Sequence, residues 1–525
     1  MDDPVSDRRV THARFVIVGT GFSGLGMAIA LRKAGYDDFV ILEKADDIGG
    51  TWRENTYPGC ACDVPTHLYS YSSEPSSEWT RVWSGQPEIL GYMKDLVERY
   101  DLRKQIHFGT RADGGHWDAE ANRWFITTGT GVEYVCQYYI IGIGQLHIPR
   151  FPALPGIESF TQISFHSAEW NHEVDLTGKR VAVVGTGASA VQLIPEIVDR
   201  VRELHVYQRS APWVLPRPEF GISPSARWLL RWVPGLRRSF RTLIYWIFES
   251  TVLGMNGHPW MLGFLERAGK WNISRSIDDP ELRAALTPDY RIGCKRILSS
   301  AGYYPALNRP HVEVTTGPIS GIGRNGVIDA DGIEREVDAI IYATGFQILP
   351  GFQGNPIFDL IGVEGARLSD DWRENGIDPY LGMMSADFPN LFIMFGPNTA
   401  SLNNSTIYMI EQQVRFIIRA LQRVESSEAV AIAVTRSAQD SYTDDIQRRL
   451  AKAVWTTGGC TNQVHDSQGK NRVVWPGFTW QYRLRTRKLD PAAFELIQSG
   501  TPACGSDTSG ESVDLEPTVR AAERG

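Results

Sequence analysis

Residues 15–24 read FVIVGTGFSG, an apolar strand that runs directly into a turn containing three spaced glycines. A helix-like segment follows, and then a second apolar strand at 39–42 that is closed by Glu43. In a G-x-G-x-x-G turn the first glycine bends the chain, the second admits a pyrophosphate close to the backbone, and the third lets helix and strand pack closely. The stretch therefore predicts the opening strand, helix and strand of a dinucleotide-binding unit.

The same fingerprint occurs a second time, as VAVVGTGASA at residues 181–190, and a strand at 204–208 then ends at Arg209. Glu43 and Arg209 each lie 19 positions after the third small residue of their copy. A carboxylate at that place accepts hydrogen bonds from the adenosine ribose, whereas an arginine favours a 2′-phosphate. The first unit is therefore predicted to bind a dinucleotide without that phosphate, and the second to bind NADPH.

The order of the apolar strands predicts an α/β fold with two Rossmann-like dinucleotide-binding domains. Strands at 138–144 and 337–346 close the two units, and the chain after 346 must complete a fold already begun. We expect the first domain to comprise 12–150 plus 350–495, and the second to comprise 151–349 with a helical insert at 217–290. The polar composition after residue 500 predicts a disordered tail at 500–525.

Composition narrows the functional classes. The chain has 525 residues and a net charge of −8, which gives no reason to expect nucleic acid as a partner. No run of 18 apolar residues predicts a membrane-spanning helix. The six cysteines show neither metal-site nor disulfide-framework spacing, so no metal is expected and the cytoplasm is the predicted compartment. Oligomeric state is not indicated by the sequence.

Residues 225–255 mix aromatic and aliphatic residues with arginines at helical spacing. One interpretation is an insert whose apolar face packs on its own protein. The other is a basic amphipathic helix that associates weakly with a lipid surface. We favour the first and leave the second open.

Between the two fingerprints the sequence contains Phe160, His166 and Trp170 at the spacing F-x-G-x-x-x-H-x-x-x-W. With the double fingerprint around it, the chain resembles the Baeyer–Villiger and related class B flavoprotein monooxygenases. Gln162 stands where that family usually has glycine, and Asn171 where it has proline or aspartate. We interpret these three signature residues as a hinge that links domain motion to cofactor position.

The resemblance spans about residues 12–490 and implies FAD in the first unit and NADPH in the second. Relatives often have a Ser-Trp pair near the C-terminus, in which the tryptophan contacts the NADPH ribose. This chain has Thr461 and Asn462 there. The implied FAD contacts include the residues of the first fingerprint. They are Gly19, Gly21, Phe22, Ser23, Gly24, Glu43, Gly50, Thr51, Trp52, Asp63, Tyr69 and Ala112. The implied NADPH contacts are Gly185, Thr186, Gly187, Ala188, Ser189, Ala190, Arg209, Ser210, Lys295 and Arg296.

The resemblance also implies the reaction, in which a small-molecule ketone and O₂ give an ester or lactone through a peroxyflavin. Arg296 would be the catalytic cation that stabilises developing negative charge, and Asp63 would orient it. N- or S-oxygenating flavin monooxygenases use the same peroxyflavin, so this activity is the alternative function. A less favoured alternative is an uncoupled NADPH oxidase or reductase.

Overall fold

The computed structural model describes residues 9–348 and 356–499, apart from Gln463 and Ser467. The strands are β1 (Val10–Val18), β2 (Phe39–Leu42), β3 (Ile106–His107), β4 (Ala112–Asp118), β5 (Arg123–Thr128), β6 (Glu133–Ile141), β7 (Ile163–His166), β8 (Arg180–Val184), β9 (Glu203–Gln208), β10 (Val214–Leu215), β11 (Leu298–Ser299), β12 (Val312–Thr316), β13 (Gly321–Ile322), β14 (Gly326–Ile328), β15 (Glu334–Glu336), β16 (Ala339–Tyr342), β17 (Leu360–Ile361), β18 (Leu391–Ile393), β19 (Ala429–Val434) and β20 (Phe494–Gln498).

The helices are α1 (Phe22–Lys33), α2 (Thr51–Glu54), α3 (Gln86–Arg99), α4 (Ala188–Ile197), α5 (Pro224–Trp232), α6 (Leu236–Ser250), α7 (Val252–Met255), α8 (Gly263–Ser276), α9 (Pro280–Ala285), α10 (Tyr303–Leu307), α11 (Leu368–Glu374), α12 (Thr406–Ser426), α13 (Arg436–Leu450), α14 (Val454–Thr457) and α15 (Thr479–Thr486). The predicted tail at 500–525 and the predicted boundary at 349–350 lie outside the described residues.

The larger sheet takes strands from both sides of the second fingerprint. Its order is β17-β4-β5-β6-β1-β2-β3, with β18 paired to β6 in addition. β1 runs parallel to β2 and β6, and α1 and α12 pack against each other beside it. The second half of β1, residues 15–18, is buried on both faces, which explains why its sequence is continuously apolar instead of alternating.

The second sheet has the order β12-β9-β8-β16-β7, and all its pairings are parallel. Helices α5 to α9 lie in the sequence between β10 and β11, where the helical insert was expected. Two parallel-stranded cores, each opened by a fingerprint, confirm the predicted α/β class with two Rossmann-like units. Within the described ranges, no helix is both long enough and apolar enough to cross a bilayer.

The chain passes between the two sheets at two crossings, around Arg150 and around Gly345, and these two segments pair with each other. The Arg150 N–H donates to the Gly345 carbonyl at 2.9 Å, and the residues around them form an antiparallel bridge. The His166 ring is buried at the end of β7, with Phe151 and Phe346 of the two crossings edge-on to it at 5.5 and 5.8 Å. Burial lowers the pKa of His166, which favours its neutral form. This packing agrees with a hinge role, which stays a prediction.

The other two signature residues pack on the flanks of the second unit. The Trp170 ring lies edge-on to Phe165 at 5.1 Å, and Phe160 packs against the small apolar cluster around Ile322. Both side chains are half-buried. These contacts hold the segment between the sheets in place.

Candidate active site

The first glycine turn leaves room at one position only. Gly19 has φ +94°, and a Cβ there would lie 2.8 Å from the Gly142 carbonyl oxygen. A Cβ on Gly24 would lie 1.8 Å from the Gly19 carbonyl oxygen. At Gly21, by contrast, the nearest atom would be the Gly50 Cα at 3.9 Å, and no side chain caps α1. The open backbone before an uncapped helix N-terminus, with Phe22 and Ser23 in its first turn, is suited to a pyrophosphate.

Glu43 lies buried at the end of β2, as the fingerprint requires. One carboxylate oxygen accepts from the Thr20 N–H at 3.0 Å and hydroxyl at 2.6 Å, and the other from the Ala45 N–H and Arg53, each at 3.0 Å. Burial alone would raise the pKa of Glu43, but the bonds from Thr20 and the charge of Arg53 lower it overall. The carboxylate is therefore ionised and fixed. Ala112 begins β4, two residues beyond Thr110, whose backbone N–H donates to the Glu43 carbonyl at 2.8 Å.

The segment after β2 forms the wall next to the first glycine turn. Gly50 has φ +51°, and Thr51 begins the short helix α2. The buried Trp52 donates its indole N–H to the Tyr69 hydroxyl at 3.2 Å, and the two rings meet edge-on at 5.7 Å. Four residues assigned by resemblance to FAD therefore lie together beside the turn.

Asp63 and Arg296, 233 positions apart in sequence, form a two-point ion pair. The guanidinium Nε and Nη2 donate to the two carboxylate oxygens at 2.5 and 2.6 Å. Burial alone would raise the pKa of the Asp63 carboxyl and lower that of the guanidinium. Their mutual attraction reverses both effects, so the pKa of Asp63 is lowered and that of Arg296 is raised. The cation is therefore fixed by Asp63, while 34% of the Arg296 side chain remains exposed.

The second glycine turn lies beside a cluster of cations. Gly185 has φ +111°, while a Cβ on Gly187 would meet nothing within 4 Å, which leaves the N-terminus of α4 (Ala188, Ser189, Ala190) open. The Thr186 hydroxyl donates to the Ser210 carbonyl at 3.1 Å, and the Lys295 ammonium donates to the Ser210 hydroxyl at 2.6 Å.

The cations of this cluster are incompletely balanced by the protein. Burial and the nearby Arg209 charge lower the pKa of Lys295, and Asp289 acts to raise it, but with a smaller effect than those that lower it. Among the described residues, neither Arg209 nor Lys295 forms an ion pair with a carboxylate. Two cations without a direct carboxylate partner, beside an open helix N-terminus, form a site suited to a phosphate group.

Sequence reasoning missed Gln192, which joins the two units. Its side chain accepts from the Tyr57 hydroxyl at 2.8 Å and from the Ala61 N–H at 3.3 Å, and donates to the Ala61 carbonyl at 2.9 Å. The segment leading to Asp63 is therefore attached to α4 of the second fingerprint. A glutamine one turn into an apolar helix carries no local signal of such a contact.

The expectation about the cysteines was wrong for one pair. Cys294 and Cys460, 166 positions apart in sequence, form a disulfide. The bond attaches the segment that carries Lys295 and Arg296 to the chain near its C-terminus. Asn462 strengthens the attachment by donating to the Cys294 carbonyl at 3.3 Å. The sequence spacing did not indicate this pair because the two cysteines are brought together only by the tertiary fold. The part of the chain that the structure describes contains no group of metal-binding side chains.

The chain is similar in sequence and in structure to several known proteins. Residues 16–233 match the family model described as pyridine nucleotide-disulphide oxidoreductase. A Baeyer-Villiger monooxygenase of Pseudomonas aeruginosa is 43% identical over 94% of this chain and 94% of its own. A steroid monooxygenase bound to NADP superposes with a TM-score of 0.83 and 28% identity, over 93% of this chain and 100% of that one. The protein OTEMO, in complex with FAD and NADP, gives 0.82 at 26% identity over 92% and 99%.

Proposed function

Because the chain belongs to the Baeyer–Villiger monooxygenase family, we propose that it uses FAD, NADPH and O₂ to convert a ketone into an ester or lactone. The overall change is ketone + O₂ + NADPH + H⁺ giving ester, water and NADP⁺. The observation that carries the proposal for this chain's own residues is the two-point pair of Asp63 and Arg296, which keeps a guanidinium charged and partly exposed between two dinucleotide cradles.

The first unit fits FAD. The open backbone at Gly21 would receive the pyrophosphate, and Glu43, already ionised, would accept from the ribose hydroxyls. Trp52 and Tyr69 would lie along the flavin end. FAD, when bound and reduced, would activate O₂, and one oxygen atom of O₂ is the one inserted into the substrate.

The role proposed for Arg296 is electrostatic. Negative charge develops on the ketone oxygen during oxygen insertion, and a preorganised cation stabilises it without reorganisation of solvent. Arginine suits this role because it stays protonated and presents its donors as a rigid planar fork. Asp63 occupies the Nε edge and one terminal nitrogen, which leaves the other N–H groups of Arg296 for substrate. Asp63 thus acts as a positioning residue for the cation.

The role proposed for Arg209, Ser210 and Lys295 is recognition of the NADPH 2′-phosphate. A charge-assisted hydrogen bond contributes about 1.5–3 kcal/mol, and 1.4 kcal/mol is about tenfold in affinity. We therefore expect Arg209→Ala and Lys295→Ala each to raise the KM for NADPH about 10- to 100-fold while changing the KM for NADH little. Steady-state kinetics with both coenzymes measure this. Arg200→Ala, which removes an exposed arginine paired with Asp175, is the matched control. Equal losses with both coenzymes would contradict the assignment.

The test of the reaction is product analysis by mass spectrometry under ¹⁸O₂, with a panel of ketones, sulfides and amines and with NADPH consumption measured in parallel. We expect one ¹⁸O atom in an ester or lactone, formed in proportion to the NADPH used. Products only from sulfides or amines would assign the heteroatom-oxygenating alternative. Hydrogen peroxide accounting for all the NADPH would assign the uncoupled oxidase.

The cytoplasm stays our proposed compartment. The Cys294–Cys460 disulfide bears on this proposal because such bonds are uncommon in reducing compartments. Alkylation of free thiols at the moment of cell lysis measures the redox state of this pair directly. A fully oxidised pair would favour a more oxidising compartment.

A further inference from the structure

We propose that the helical pair α5 and α6 binds peripherally to the surface of an anionic lipid bilayer. The exposed apolar residues of this pair are its most unusual feature. Trp228, Trp232, Leu243, Trp246 and Ile247 are each 54–62% exposed, and α5 buries none of its side chains. Large apolar side chains concentrated on one surface mark an interaction site in a folded protein.

The exposure does not result from poor packing of α6, because the opposite face of that helix is fully engaged. Arg241 donates to the carbonyls of His67 and Ser70 at 2.6 and 3.0 Å, and Phe240 packs edge-on to the His67 ring at 5.1 Å. At the C-terminal end, the buried Glu249 accepts from the Thr479 hydroxyl at 2.7 Å. The helix is thus attached to the protein along one face and presents a second apolar face outward.

The charge on these helices indicates which partner fits. Residues 224–276 contain eight arginines and lysines against two glutamates, in a chain whose net charge is −8. Both glutamates are already occupied: Glu249 is buried, and Glu266 pairs with Arg291 at 3.3 Å. On the exposed side Arg231 lies over the Trp232 ring at 5.5 Å and 3.6 Å from Glu78. Without the inward-facing Arg241, seven arginines and lysines remain, so the outward face combines aromatic rings with excess positive charge.

That combination fits an anionic lipid surface better than a second copy of the chain. Tryptophan rings occupy the interface between headgroups and acyl chains, and arginines attract anionic headgroups. In a symmetric dimer the same basic face would meet itself, so like charges would oppose. Helix α8 carries a similar set of residues. At helical spacing along it, and all exposed, are Phe264, Arg267, Trp271 and Arg275. Arg275 lies over the Trp271 ring at 4.5 Å, which agrees with the lipid interpretation.

The test is vesicle flotation of the FAD-loaded full chain. We expect binding to phosphatidylglycerol-rich vesicles, weak binding to pure phosphatidylcholine vesicles, and loss of binding as salt is raised, since screening weakens attraction to the surface. The variant Trp228→Ser/Trp246→Ser/Ile247→Ser should lower the partition coefficient at least tenfold. Arg227→Glu/Arg238→Glu should lower it by a similar factor, because each cation near an anionic surface contributes roughly fivefold.

The matched controls carry changes of the same kind elsewhere on the surface. Ile333→Ser/Leu484→Ser removes exposed apolar residues, and Arg373→Glu/Arg448→Glu reverses exposed charges, so neither should alter vesicle binding. Flavin content and melting temperature report whether each variant is folded. Absence of binding to anionic vesicles would overturn the proposal. The proposal would also be overturned if the triple variant kept its vesicle binding and changed only its molar mass, measured by light scattering. The face would then be an interface between copies.

Discussion

Replacing Arg296 by alanine is expected to lower ester or lactone formation by about 10²–10³-fold or more, while reduction of the bound flavin by NADPH continues. The loss follows from removing the one cation that Asp63 holds in position, since a single preorganised donor at a developing oxyanion contributes about this factor. Flavin reduction should persist because Arg209 and Lys295 remain to bind the coenzyme phosphate. Rapid-mixing absorbance measures flavin reduction, and chromatography of the products measures oxygenation.

Two further variants separate charge from geometry at this site. Arg296→Lys keeps a positive charge but loses the planar fork that meets both Asp63 oxygens, so we expect it to recover only part of the activity. Asp63→Asn leaves Arg296 charged but weakens its fixed orientation. In Arg296→Ala the Asp63 carboxyl loses the interaction that holds its pKa down, and burial should then raise that pKa. Full ester formation by Arg296→Ala would contradict the catalytic assignment.

The parts of this molecule that the sequence predicts are those encoded by neighbouring residues. The turn from Gly19 to Gly24, the position of Glu43 and the parallel apolar strands all depend on contacts within a few dozen positions, and the structure contains each of them. The meeting of Asp63 with Arg296 depends on residues 233 positions apart. Only the resemblance to a known family indicated that pair, because no local pattern encodes a contact at that separation.

The features that the sequence did not predict share a physical cause. Gln192 and the Cys294–Cys460 disulfide arise where separate segments come together in the tertiary fold. The segment 225–255 shows a different limit. Helical periodicity indicated an apolar face, but α6 has two such faces, one packed through Phe240 and one exposed through Trp246. Periodicity alone cannot separate packing from exposure when both occur around one helix.

The second large effect is expected from Gly24→Ala, which should yield protein with little or no bound FAD, at least 100-fold weaker in flavin affinity. The new Cβ would lie 1.8 Å from the Gly19 carbonyl oxygen, so the turn must open and α1 must move away from β1. That movement displaces the backbone at Gly21, which is the position proposed to receive the pyrophosphate. Flavin absorbance of the purified protein and titration with added FAD measure the change.

The chain contains its own control for this prediction, since the second fingerprint has Ala190 at the corresponding place. Ala190→Gly removes a buried methyl group and adds backbone freedom, which costs about 1 kcal/mol of stability. We expect that variant to keep both FAD content and NADPH affinity, with a slightly lower melting temperature. Normal flavin content in Gly24→Ala together with loss of NADPH binding in Ala190→Gly would contradict this explanation. The third residue of the fingerprint would then not act by letting helix and strand approach closely. A methyl group is excluded at one turn and accommodated at the other, so the two cradles differ in how closely helix and strand approach.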